Sequence, residues 1–114
     1  MRVLKSFGYA IKGFYKALRE QLNLRIHVMV LAGVTGAGFY YKITGTEWVL
    51  ILLTAGLVIS MELMNTAMEV MADMVTREQR PTIAKIKDIA AAAVLFSAII
   101  AVITGLIIFA KYIF

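Results

Sequence analysis

With 114 residues, 61% of them hydrophobic, and a mean hydropathy of +0.84, the chain is far more apolar than a water-soluble domain, in which about half the residues are apolar. It has room for one small membrane-embedded domain, and the absence of cysteine excludes a disulfide framework and thiolate metal sites. The formal net charge of +5 comes from basic residues flanking apolar runs, which points to membrane topology, anionic headgroups or nucleotide phosphates rather than nucleic acid.

Met1 to about Leu22 is basic and amphipathic. Val3, Leu4, Phe7, Ile11, Phe14, Tyr15, Leu18 and Leu22 recur at spacings near three and four, with Arg2, Lys5, Lys12, Lys16 and Arg19 between them. The pattern predicts a helix along the membrane surface rather than a cleavable signal peptide. A polar knot follows (Glu20, Gln21, Asn23, Arg25, His27), and the first span runs from about 26 to 42. His27, at the span boundary, reads as an interfacial polar residue or a headgroup contact. Gly33, Gly36 and Gly38 lie inside this span and suggest helix packing. Lys42 to Glu47 forms a short outer turn flanked by Tyr40, Tyr41 and Trp48, as in an interfacial aromatic belt. The second span covers about 48–75, longer than the hydrocarbon core, and a loop follows over Thr76 to Thr82 with the single proline, Pro81. The third span covers about 83–112 and ends in Lys111, Tyr112 and Phe114.

The second span carries an unusual stripe. At roughly 100° per residue, Asn65, Thr66, Glu69 and Asp73 all fall within about 60° of Glu62. One carboxylate at bilayer depth costs on the order of 3 kcal/mol, so three unpaired ones would cost about 9 kcal/mol, comparable to a small domain's whole stability. The acids must therefore face other helices, meet cations or approach the interface. A packing seam would satisfy them; so would a site holding a metal ion and an acid/base group, and intramembrane acids are functional by default. Three helices enclose so many acids poorly, which implies oligomerisation. Basic residues cluster before Arg25 and around the second loop (Arg77, Arg80, Lys85, Lys87), while Lys42 stands alone in the outer turn. The positive-inside rule then places the N-terminus and the second loop in the cytoplasm and the C-terminus outside.

The run Glu62-x-x-Asn65-Thr66-Ala67-x-Glu69-x-x-x-Asp73, followed by Lys87-Asp88-Ile89-Ala90, resembles the signature of the prokaryotic diacylglycerol kinase family, which includes small undecaprenol kinases. The resemblance extends over the whole chain, 1–114, as one integral membrane lipid kinase domain. It implies an all-α membrane protein with a surface helix and three spans, a homotrimer in the bacterial inner membrane. It also implies transfer of the γ-phosphoryl of ATP, with Mg2+, to a membrane lipid alcohol, undecaprenol or diacylglycerol. Carried over residue by residue, Glu62 is the catalytic base and Glu69 the metal ligand. Tyr9, Gln21, Glu69, Asp73, Glu78, Arg80, Lys87 and Asp88 fall on the nucleotide side, and Glu62, Asn65 and Arg25 on the lipid side. Gln21 departs from the pattern, since the family usually has a second metal-binding glutamate there. A neutral amide offers an oxygen but no charge, so either Glu20 beside it substitutes, or metal binding is weaker, or catalysis is impaired. No glycine-rich phosphate loop or soluble-kinase catalytic loop occurs. The rival reading is a small oligomeric transporter using Glu62 as a coupling carboxylate. The further acids and the Lys87–Asp88 pair weigh against it.

Overall fold

A computed structural model describes residues 1–114 as four α-helices: α1 (Arg2–Glu20), α2 (Leu22–Tyr41), α3 (Gly45–Val75) and α4 (Pro81–Ile113). Of these, α2, α3 and α4 are long and apolar enough to cross a membrane. Only 13 of 114 residues are buried, and large apolar side chains such as Leu52, Leu53, Phe96, Leu106 and Ile107 stand exposed along the spans. A core so small would not hold a chain together in water; it suits one whose surroundings are apolar.

The amphipathic α1 buries only Ala17, as a surface helix does. It stops one residue before α2 starts. Gln21, alone, is extended (φ −111°, ψ 113°), its N–H donating to the Ala17 carbonyl at 2.8 Å and its carbonyl accepting from Arg25 N–H at 3.3 Å. The polar knot from Asn23 to His27 is thus already helical. The other end of α2 closes at Lys42, which is left-handed (φ 54°), with the Ile43 N–H on the Gly38 carbonyl and the Lys42 N–H on that of Phe39. These two bonds make a Schellman motif that turns the chain sharply into α3.

Helix α3 opens on a capping box, with Thr44 Oγ1 accepting from Glu47 N–H at 3.2 Å and Glu47 Oε1 accepting from Thr44 N–H at 2.9 Å. Glu47 also accepts from the Tyr112 hydroxyl and pairs with Lys111 Nζ at 2.6 Å, so one buried carboxylate ties the start of α3 to the end of α4. Beneath it Ile43, Ile51 and Ile108 pack with Val34, Tyr41, Trp48, Phe109 and Tyr112. The most extensive packing in the molecule is between α3 and α4. At 31 and 33 residues these helices run about 46 and 50 Å, beyond a hydrocarbon core of about 30 Å. The loop between them is short, with Pro81 at the first turn of α4, where its missing N–H costs nothing.

Of the three glycines in α2, only Gly38 makes a close packing contact; the places where Gly33 and Gly36 would carry a Cβ meet nothing within 4 Å. A Cβ at Gly38 would come within 2.6 Å of the Trp48 ring. Gly38→Leu is therefore expected to destabilise the protein by about 1–3 kcal/mol, read as a lower thermal midpoint in detergent. Gly36→Leu measured alongside is expected to cost less.

Candidate functional site

The stripe on α3 is present as a physical row. Glu62 and Asn65 are buried, Glu69 is half-buried and Asp73 is exposed, so the row grades from enclosed to open toward the second loop. Asn65 Nδ2 donates to Glu69 Oε1 at 3.4 Å, one turn apart on the same face. Thr66 does not join the row's side-chain contacts; its hydroxyl donates back to the Glu62 carbonyl at 3.0 Å, the local solution for a hydroxyl inside a helix. At the open end Lys87 Nζ on α4 donates to Asp73 Oδ1 at 2.9 Å, joining α3 to α4. In the loop, Arg80 holds Glu78 Oε2 through Nε and Nη2 at 3.0 and 2.9 Å.

Other residues expected near the site lie apart from the α3 acids within the chain. Tyr9 is exposed on α1, Glu20 is exposed at its end and Gln21 occupies the joint, and none of their side chains bonds to the stripe. Arg25 Nη1 donates to the Arg19 carbonyl at 2.9 Å and braces the α1–α2 corner. Asp88 is exposed beside Lys87. No three His, Asp or Glu side chains of one chain converge on a point.

One partner went unrecognised in the sequence. His27 is not simply an interfacial residue: its Nε2 lies 3.8 Å from Glu62 Oε2. A signal for it existed, because Glu62 needs an opposing group and His27 is the basic side chain placed farthest into the first span. The second unrecognised cluster, Glu47 with Lys111 and Tyr112, lies at the opposite end of α3 and α4. Two buried oxygens remain without hydrogen-bond partners, Glu62 Oε2 and Asn65 Oδ1. Orphaned buried acceptors cost about 1–3 kcal/mol each, so their presence side by side on one stripe marks unspent binding capacity.

Helices, spans and stripe together define a multi-pass membrane protein with a carboxylate site opening toward one membrane face. Comparison with known proteins narrows this. The profile of the prokaryotic diacylglycerol kinase family matches residues 8–109, and the chain belongs to that family of lipid kinases. It is 37% identical over 108 residues to the undecaprenol kinase of Bacillus subtilis (strain 168), spanning 95% of this chain and 88% of that one. It is 39% identical over 104 residues to the diacylglycerol kinase of Synechocystis sp., spanning 90% of this chain and 59% of the relative. The diacylglycerol kinase of Escherichia coli (strain K12) is 33% identical over 104 residues, 90% of this chain and 84% of its own.

Glu62 is costly to the fold. Replacing it with leucine removes a buried, partly unsatisfied carboxylate and leaves only His27, which is partly exposed. Glu62→Leu is expected to raise the unfolding free energy by on the order of 1 kcal/mol; a lower thermal midpoint than the parent in the same detergent would contradict this account of the site.

Proposed function

We propose that this chain transfers the γ-phosphoryl group of ATP to the hydroxyl of a membrane lipid alcohol, undecaprenol or diacylglycerol, at the cytoplasmic face of a bacterial inner membrane. The entire chain, 1–114, acts as one lipid kinase domain, with its N-terminus and second loop in the cytoplasm and its C-terminus outside. The observation that carries the reading is the graded row on α3. A buried carboxylate lies within a helix long enough to cross a membrane, and further acids lead from it to an exposed end where Asp73 meets Lys87. Phosphoryl transfer between a water-soluble donor and an oil-soluble acceptor requires such a gradient of polarity.

Glu62 accepts the hydroxyl proton as the lipid oxygen attacks phosphorus, and its enclosure keeps competing water away. Asn65 and Arg25 stand on the lipid side. Asp73, Glu78, Arg80, Lys87, Asp88 and Gln21 form the nucleotide side, with Tyr9 against the base. The donor set fits magnesium, a hard ion bound by one or two carboxylates plus phosphate oxygens and water: Glu69 keeps one carboxylate oxygen outside the Asn65 bond, and the neighbouring Asn65 Oδ1 is orphaned. Glu69, with Glu20 or Gln21, would hold the ion, whose charge neutralises the transferring phosphates. Glu20 and Gln21 do not bond to the α3 acids within one chain, which supports sites shared between subunits of a homotrimer. Cross-linking in a mild lipid environment is expected to give trimers.

Incubation with radiolabelled ATP, magnesium, and undecaprenol or diacylglycerol, followed by thin-layer separation, is expected to yield labelled lipid phosphate and to name the preferred alcohol. Unlabelled lipid in every arm would remove the kinase reading. Glu69→Ala is expected to lower turnover by at least about a hundredfold with the oligomer intact. Gln21→Glu, which restores a charge, is expected to lower the magnesium concentration for half-maximal rate by roughly tenfold.

A further inference from the structure

The Glu62 side chain is 2% exposed and its Oε2 makes no hydrogen bond. Other cations on the Glu62 side of the bundle are committed elsewhere. Lys87 holds Asp73, Arg80 holds Glu78, and Arg25 donates to the Arg19 carbonyl, while Lys111 lies with Glu47 at the opposite end of α3 and α4. No charged side chain of α1 or α4 lies within ion-pair distance of Glu62, and Glu69 on α3 itself is a like charge engaged by Asn65. What remains is His27 on α2, 3.8 Å from the orphaned oxygen.

That separation is informative. It is too long for a hydrogen bond and too short for anything but a small movement to close. A pair serving stability alone would be bonded, since leaving the oxygen unpaired costs the fold; catalytic hydrogen bonds, by contrast, are often long in the unliganded enzyme and tighten when substrate binds. His27 also lines an apolar groove of about 410 Å³ between α2, α3 and α4, together with Val30, Val58, Ile59 and Ala98.

We propose that His27 is the positioning residue of Glu62, its Nε2–H engaging Oε2 across the gap between α2 and α3 so that the other carboxylate oxygen faces the lipid hydroxyl. The proposal rests on the lipid kinase reading, with Glu62 as base. His27 acts through Glu62, and its loss falls on the chemical step more than on lipid binding.

The test uses the full chain in its oligomeric form. His27→Ala is expected to lower kcat at least about tenfold while KM for the lipid alcohol stays within about twofold. Because the vacated space opens onto the groove, added imidazole is expected to restore part of the rate to His27→Ala and none to the parent. His27→Gln, which keeps an N–H donor at similar reach, is expected to retain more of kcat than His27→Leu, and this comparison stands if the alanine variant does not fold. Parental kcat in His27→Ala, a loss indifferent to imidazole, or equal rates for the glutamine and leucine variants would each overturn the assignment. No turnover by the parental protein would instead remove the kinase reading, and this inference with it.

Discussion

A carboxylate in the middle of a membrane-crossing helix has to be enclosed by protein, and Glu62 imposes that condition on everything around it. Its charged form is tolerable in an apolar medium only beside other polar groups. The molecule meets the requirement sparingly, with one imidazole from α2, while Glu69 along α3 is a like charge that opposes it and Oε2 makes no hydrogen bond. The result is a residue held in place by surrounding structure rather than by its own bonds.

The rest of the architecture divides along the length of α3 and α4. Toward the end that carries Glu47, bonding is saturated: capping box, ion pair, tyrosine hydroxyl, and an isoleucine cluster with aromatic walls. Toward the second loop, bonding is thin and polar, and the acids become progressively exposed. Stability is concentrated at one end and chemistry at the other, so the site can carry unsatisfied groups without the pair of helices coming apart. Local hydroxyls add to this economy. Thr35, Thr54 and Ser97 each bond a carbonyl of their own helix, so they ask for no water in the lipid.

Much of this was legible in the sequence. The apolar runs and the amphipathic start read directly as spans and a surface helix because helical periodicity and bilayer thickness leave few alternatives. The stripe from Glu62 to Asp73 was readable for the same reason: residues on one helix have relative angles that follow from spacing alone. What lay hidden was contact between helices. Nothing in local spacing pairs His27 with Glu62, 35 positions later, or Glu47 with Tyr112, 65 positions later. The single-residue break at Gln21 was equally obscure, since that stretch holds neither glycine nor proline to mark it. Within one chain the glycines of α2 are not alike. Only Gly38 meets a large side chain, because only there does Trp48 fold back across the turn.

The two ends of the α3–α4 pair are therefore not mechanically alike. The Glu47 end is the geometric pivot, fastened to two side chains of the opposite helix. The end at the second loop is closed by one exposed lysine–aspartate contact and a short loop. Over a lever arm of about 46 Å, a splay of about 5° at the pivot displaces the far ends by roughly 4 Å. Geometrically, the width of the mouth of the carboxylate row depends on the angle held at the far end of the same two helices.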